Sequence, residues 1–306
     1  MLQGAWGMGM KLKAFVNCAS WCLALAFMSL GGAPLIAGTG TDSRGVKVSA
    51  PDAGVRIVSL SPGATETLYA IGAGDEVVGV SDFCDYPPSF VAAKPRMGGF
   101  STPNIEKIQA ARPHVVMLTT VVPINIKNQF DRLGIQIFVA EPDSFNDLLE
   151  LIVQLGVLTG RRNEALAVAR GMSDEAGRYV CRIRAKSAAP VKTIIELWYN
   201  PLYMAEKGSL PGDIVTLAGG RVIPDTGNPY SRIDEEKLLE LDPEAIVLGH
   251  QADLAAFLET HKNVAGVHAI RNNKIFAQNP DKLLRPGPRV VDALREIAQF
   301  LHPEAF

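Results

Sequence analysis

His114, His250, His261, His268 and His302 are the first side chains to weigh for metal or acid–base chemistry, and none stands at close metal-ligand spacing. Two glycine-based patterns also fail. Gly72-Ala73-Gly74 opens like a dinucleotide fingerprint, but Val77 occupies the third glycine position and the stretch follows a helical pattern instead of a strand. Gly79-Val80-Ser81 lacks the closing glycine of a hydrolase elbow, because residue 83 is Phe. The sequence therefore predicts no catalytic residue, no metal site and no resident cofactor. A two-lobed α/β enzyme resembling a glycosyltransferase is the distant enzymatic alternative.

Two carboxylates carry more information. Glu106-Lys107-Ile108 is followed by Pro113, seven residues after its Glu, and then by Val115-Val116-Met117-Leu118; Glu236-Lys237-Leu238 is followed at the same spacing by Pro243 and Ala245-Ile246-Val247-Leu248. The offset is 130 residues, and a second echo, Gln136-Ile137-Phe138 against Lys274-Ile275-Phe276, lies at 138. Helix-proline-strand units recur in α/β proteins by chance, but the shared order favours paired lobes.

The elements that would position these residues follow from hydrophobic periodicity. Arg56 to Leu60, Val77 to Val80, Val115 to Thr120 and Ile137 to Ala140 read as buried strands, with helical patterns after Ser61, Asn104 and Ser144 and near Ile126. A second series runs through Thr193 to Trp198, Ala245 to Gly249 and Lys274 to Ala277. The fold class expected is α/β: two Rossmann-like lobes with central parallel sheets, at residues 55–160 and 188–306. Between them, 161–187 carries Leu166, Ala169, Met172, Ala176, Tyr179, Val180 and Ile183 mostly at three- and four-residue steps. One long connecting helix is the economical reading, and two shorter helices broken at Gly177 are the alternative.

The chain of 306 residues is 47% hydrophobic and 20% charged, with 30 basic against 32 acidic residues, an ordinary globular balance with no surplus charge for nucleic acid. Lys11 and Lys13 precede an apolar run from Ala14 to Leu30 and small residues through Ala37, the order of a secretory signal peptide (1–37). An uncleaved membrane anchor is the alternative, disfavoured by Asn17, Ser20 and Ser29 within a short run. Residues 38–54 are small, polar and patternless, and read as a flexible leader. Only Cys84 and Cys181 follow the signal, too few for a disulfide framework; whether they pair is left open.

Arg56-Ile57-Val58-Ser59-Leu60-Ser61-Pro62, Gly79-Val80-Ser81 with Asp85-Tyr86-Pro87-Pro88, Asn104-Ile105-Glu106-Lys107-Ile108 with Pro113, and Arg285-Pro286-Gly287-Pro288-Arg289 together resemble the periplasmic substrate-binding proteins of bacterial ABC importers for cobalamin and iron-siderophores. The resemblance spans residues 55 to 304 and is nearest to the corrinoid-binding members. It implies two lobes holding a ligand between them, a periplasmic location, a monomer, and a permease dimer as partner. By position it assigns ligand contact to Pro62, Phe83, Tyr86, Phe100, Trp198, Tyr199, Tyr230, Asp281 and Arg285, and permease docking to Glu106 and Glu236. Aromatic side chains suit a broad corrinoid at low conformational cost, and separated carboxylates suit arginine forks. Phe100 and Tyr230 stand where the corrinoid binders carry tryptophan, which admits an iron-siderophore or haem as the alternative cargo.

Overall fold

The stretch expected to be a flexible leader is folded. Thr39–Thr41 (β1) and Lys47–Ser49 (β2) pair antiparallel, and Val48 is buried. Asp42 organises the turn: its Oδ1 accepts from the backbone N–H groups of Arg44 and Val46, and its Oδ2 accepts from Val139 N at 3.1 Å. Periodicity missed this hairpin because its hydrogen bonds go to side chains and to distant backbone, among them Thr41 N donating to Gln154 and Gly38 N to the Val157 carbonyl. Asp42→Ala should cost about 2 kcal/mol, since several donors lose a charged acceptor. A fall in the urea midpoint at unchanged m-value would show it, whereas an unchanged midpoint would mean the hairpin contributes nothing to stability.

The computed structural model describes residues 38–51, 54–119, 122–186, 188–251, 257–259 and 261–306; the expected signal peptide lies outside them. After the hairpin come Ile57–Ser59 (β3), Pro62–Ala70 (α1), Val77–Val80 (β4), Pro88–Ala92 (α2), Ile105–Ala110 (α3), Val115–Leu118 (β5), Ile124–Arg132 (α4), Gln136–Val139 (β6) and Phe145–Leu158 (α5). The strands form a sheet in the order β4-β3-β5-β6 with every pairing parallel. Val115 and Met117 face one core and Val116 and Leu118 the other, which explains why β5 reads as a continuous apolar run. Polar caps start the helices where the sequence supplies them. Ser61, Asn104 and Ser144 accept from Ala64 N, Lys107 N and Asp147 N at the starts of α1, α3 and α5.

Arg162–Ala185 (α6) runs unbroken through Gly171 and Gly177, about 36 Å at the usual helical rise. Both glycines face open space, so neither interrupts packing. The opposite stripe, Ala165, Ala169, Met172, Ala176, Val180 and Ile183, is buried.

The second lobe contains Val191–Tyr199 (β7), Leu202–Ala205 (β8), Leu210–Leu217 (α7), Gly220–Val222 (β9), Tyr230–Ile233 (β10), Glu235–Leu241 (α8), Ala245–Leu248 (β11), His268–Arg271 (α9), Ile275–Ala277 (β12), Pro280–Leu283 (α10) and Val290–Leu301 (α11). Its sheet runs β10-β8-β7-β11-β12, with β9 also beside β7. Its central strands are parallel as expected, β9 and β11 beside β7 and β12 beside β11, and β8 extends them antiparallel to both β7 and β10. The reason is local. Only Asn200 and Pro201 separate β7 from β8, and so short a connection permits an antiparallel return alone.

The lobes touch through backbone. Gly63, one residue into α1, lies so close to Pro286 that a Cβ at residue 63 would collide with that residue's carbonyl. Pro62, immediately before it, is half-buried.

Candidate functional site

Among the exposed aromatic rings, Phe83 and Tyr86 lie in the loop after β4, and Trp198, Tyr199, Tyr203 and Tyr230 on β7, β8 and β10, each between 41% and 51% exposed. A surface seldom leaves as much neighbouring ring area in water as Trp198, Tyr199, Tyr203 and Tyr230 do without a use for it. Phe100 is half-buried and packs against Phe83, with ring centroids 5.1 Å apart.

In the second lobe the arrangement is built by sheet register. The β7–β8 ladder slips between Glu196 and Trp198, which sets Trp198 directly opposite Tyr203, and Tyr203 lies in turn opposite Arg232 on β10. Cross-strand partners share a face, so one row carries two aromatics and a guanidinium. Trp198 stacks on Tyr199 at 5.4 Å, and Tyr203 stacks on Tyr230 at 6.1 Å. Desolvation around the Tyr230 phenol oxygen, with Glu141, Asp143 and Tyr203 nearby, pushes its pKa up to about 12. Glu141 and Asp143 follow β6, so this face of the second lobe looks toward the first.

Behind Trp198 and Tyr199 is a charged pair. His250, two residues beyond β11, places Nε2 3.0 Å from Oε1 of the fully buried Glu196, and its ring lies 6.1 Å from that of Tyr199. Burial pushes the Glu196 pKa up, but His250 and His261 outweigh it and the net shift is downward. His250 is raised above its ordinary value, first because Glu196 accepts its hydrogen bond. A raised histidine pKa adds stability below the unfolded value of about 6.5, and that gain is lost as pH rises through the folded value. NMR titration should show His250 above 6.5, falling below it in Glu196→Gln. A His250 that titrates identically in both proteins would dissolve the pair.

Where the lobes meet, carboxylates and guanidinia interleave. Arg285 contacts Asp85, with a second Nη2–Oδ2 contact of 3.0 Å, and also Asp281 at 2.8 Å and Glu66 at 3.7 Å. Arg289 donates to both oxygens of Glu66, at 2.8 and 2.6 Å, and its guanidinium lies 4.2 Å from the Tyr86 ring centroid. Arg285 holds the Asp85 carboxyl below its ordinary range. The Asp281–Arg285 spacing thus forms a pair, but its arginine is already occupied by the first lobe.

Glu106 and Glu236 occupy equivalent places, the second residue of α3 and of α8, both exposed and neither in an ion pair among the described residues. Cys84 is a buried free thiol beside Thr65 and Ser81, so it forms no disulfide with Cys181. No group of three or more His, Cys, Asp or Glu among the described residues is arranged to hold a metal ion.

Sequence reasoning missed Tyr203, Arg232, Glu66 and Arg289, and weighed His250 only as a metal ligand. The available signal for His250 was its place just after an apolar strand, where ligands collect in α/β sheets. Tyr203 and Arg232 gave none, because only the β8 and β10 pairings bring them to Trp198.

Residues 57–281 match the model of a periplasmic binding protein family. The vitamin B12-binding protein of Vibrio cholerae is 27% identical over 248 residues, covering 80% of this chain and 88% of that protein. The crystal structure of the periplasmic vitamin B12-binding protein of Vibrio cholerae superposes with a TM-score of 0.69 at 27% identity, over 82% of this chain and 97% of the other. A periplasmic haem-binding protein from Pseudomonas aeruginosa shares the fold, with a TM-score of 0.74 at 24% identity over 82% and 94% of the two chains.

Proposed function

The chain belongs to the periplasmic binding protein family, and on that premise we propose that it captures a corrinoid, cobalamin or cobinamide, between its lobes in the periplasm and delivers it to the permease of an ABC importer. The observation that carries this reading is the set of exposed rings, Phe83 and Tyr86 in the loop after β4 of one lobe, and Trp198 and Tyr199 at the carboxyl end of β7 with Tyr203 and Tyr230 on the neighbouring β8 and β10 of the other. A broad macrocycle with an apolar face buries such rings favourably, and polar groups around them fix its rim. The similarity to vitamin B12-binding proteins, over most of both chains, supports the same cargo. Selectivity then lies in cleft shape. The family is a class of binding proteins, and capture followed by delivery requires no bond to be made or broken.

Calorimetric titration of the processed protein with cyanocobalamin, cobinamide, haem and a ferric siderophore tests the cargo directly. One-to-one binding confined to corrinoids is the expected result. Binding of haem or siderophore with neither corrinoid would keep the fold and overturn the cargo.

A further inference from the structure

The two lobes are joined at a second place, by a hydrogen bond between helices of opposite lobes. Asp213, in the first turn of α7 in the second lobe, accepts through Oδ2 from the backbone N–H of Phe145, the first residue of α5 in the first lobe, at 2.8 Å. The first N–H groups of a helix have no acceptor within it. Ser144 takes the Asp147 N–H at 3.1 Å, as the residue before a helix commonly does, and the Phe145 N–H is left to the other lobe. By contrast, Ser61 accepting from Ala64 N and Ser209 accepting from Gly212 N cap α1 and α7 from within their own lobes. Burial raises the pKa of the half-buried Asp213 above its ordinary value, against the pull of the Phe145 N–H, and Asp147 on α5 adds a like charge. An acid in the first turn of α7 also complements that helix's dipole, which accounts for a carboxylate but not for its aim across the lobes.

The contact has a counterpart. Glu66 lies on α1, three residues after Gly63, and binds Arg289, the residue before α11; Asp213 lies on α7, directly after Gly212, and binds the start of α5. Both α1 and α7 carry a proline-glycine step in the first turn, and α5 and α11 are the helices that complete their lobes. Each lobe thus grips the closing helix of the other with one carboxylate. A single tie leaves rotation about itself, and two ties between different pairs of helices remove it. Phe145 matters to the cleft through what precedes it. The turn from β6 to α5 carries Glu141 and Asp143, which lie near enough to Tyr230 to help raise its pKa, and it runs directly into Phe145.

We propose that Asp213 is a positioning residue for the lobes: by clasping the start of α5 from the opposite lobe it sets, together with the Glu66–Arg289 pair, the angle at which the two halves of the cleft face each other. The inference concerns lobe geometry and holds whatever ligand is carried.

Two NMR measurements on the processed, ligand-free protein test it. Amide exchange at Phe145 should be slow in wild type and about ten-fold or more faster in Asp213→Ala, the value of a lost charge-assisted hydrogen bond; Asp213→Asn, whose side-chain carbonyl still accepts, should restore part of the protection. Residual dipolar couplings then report the lobes' relative orientation. One alignment tensor should fit both lobes in wild type and Asp213→Asn, whereas Asp213→Ala should need two that differ in orientation or magnitude. Asp213→Ser, whose hydroxyl stops short of the amide, is the second disrupting variant should Asp213→Ala fail to fold. Equal Phe145 exchange with and without the carboxylate would show that no clasp exists. Faster exchange with both lobes still sharing the wild-type tensor would reduce Asp213 to a helix cap and overturn the inference.

Discussion

Replacing Glu106 and Glu236 together by alanine is expected to abolish ligand uptake in cells while leaving ligand affinity within about two-fold of wild type, the range typical of surface changes remote from a site. Both carboxylates are exposed, both occupy the second position of short helices that begin equivalent helix-proline-strand units, and neither is used in an ion pair among the described residues. Each lobe thereby presents one anionic point, which would suit a permease that offers arginines. A helix-start glutamate also relieves the helix dipole, by at most about 1 kcal/mol at an exposed site, so stability should hardly change. Each single variant should retain part of the transport, because one anchored lobe still guides the other. The decisive comparison is uptake against calorimetric affinity in the same variants. Lost affinity would move the glutamates to the ligand, and full transport by the double variant would end the docking role.

The second large effect is on stability. Glu66 is almost fully buried, and its pKa stands above the ordinary carboxylate value because burial outweighs the pull of Arg289 and Arg285. In Arg289→Met the carboxylate keeps only Arg285, 3.7 Å away. Keeping it ionised becomes unfavourable, and protonating a group of ordinary pKa at neutral pH costs about 3 kcal/mol, close to the usual loss when one partner of a buried pair is removed. The expected deficit at pH 7 is therefore about 3 kcal/mol in urea unfolding. Its pH dependence has a definite sign. A carboxyl with a raised folded-state pKa gains folded stability as pH falls, so by pH 5 the deficit should shrink to about 1 kcal/mol. The double variant Glu66→Gln/Arg289→Met should recover most of the loss, since no buried charge is left alone. A deficit that is constant with pH, or one that the double variant does not relieve, would contradict this account.

These expectations depend on features of unequal legibility in the sequence. Strands such as Val115–Leu118 and Ala245–Leu248 were readable because burial on both faces writes an unbroken apolar run. The long helix was readable from one buried stripe at three- and four-residue steps, and its two glycines did not break it because they lie on the open side. The β1–β2 hairpin was not, since Asp42, Gln136 and Gln154 hold it through hydrogen bonds that leave no periodic trace. The same limit governs the site. Resemblance located Trp198, Tyr199 and Tyr230 in the chain, but Tyr203 and Arg232 join them only through β7–β8–β10 pairing. Likewise, the spacing of Asp281 and Arg285 anticipated their ion pair, yet nothing local announced Asp85, about two hundred residues earlier, as the other claimant on that arginine.

The close approach of Gly63 to Pro286 also bears on how cargo is let go. Two peptide backbones in direct contact cannot be compressed, and a long unbroken helix resists shear, so the mouth of the cleft is largely set before a ligand arrives. Little ordering entropy is then spent on capture, which favours slow dissociation over fast exchange. On the proposed function, a permease that held both lobes would be what changes the cleft, and its conformational cycle would set the pace of delivery.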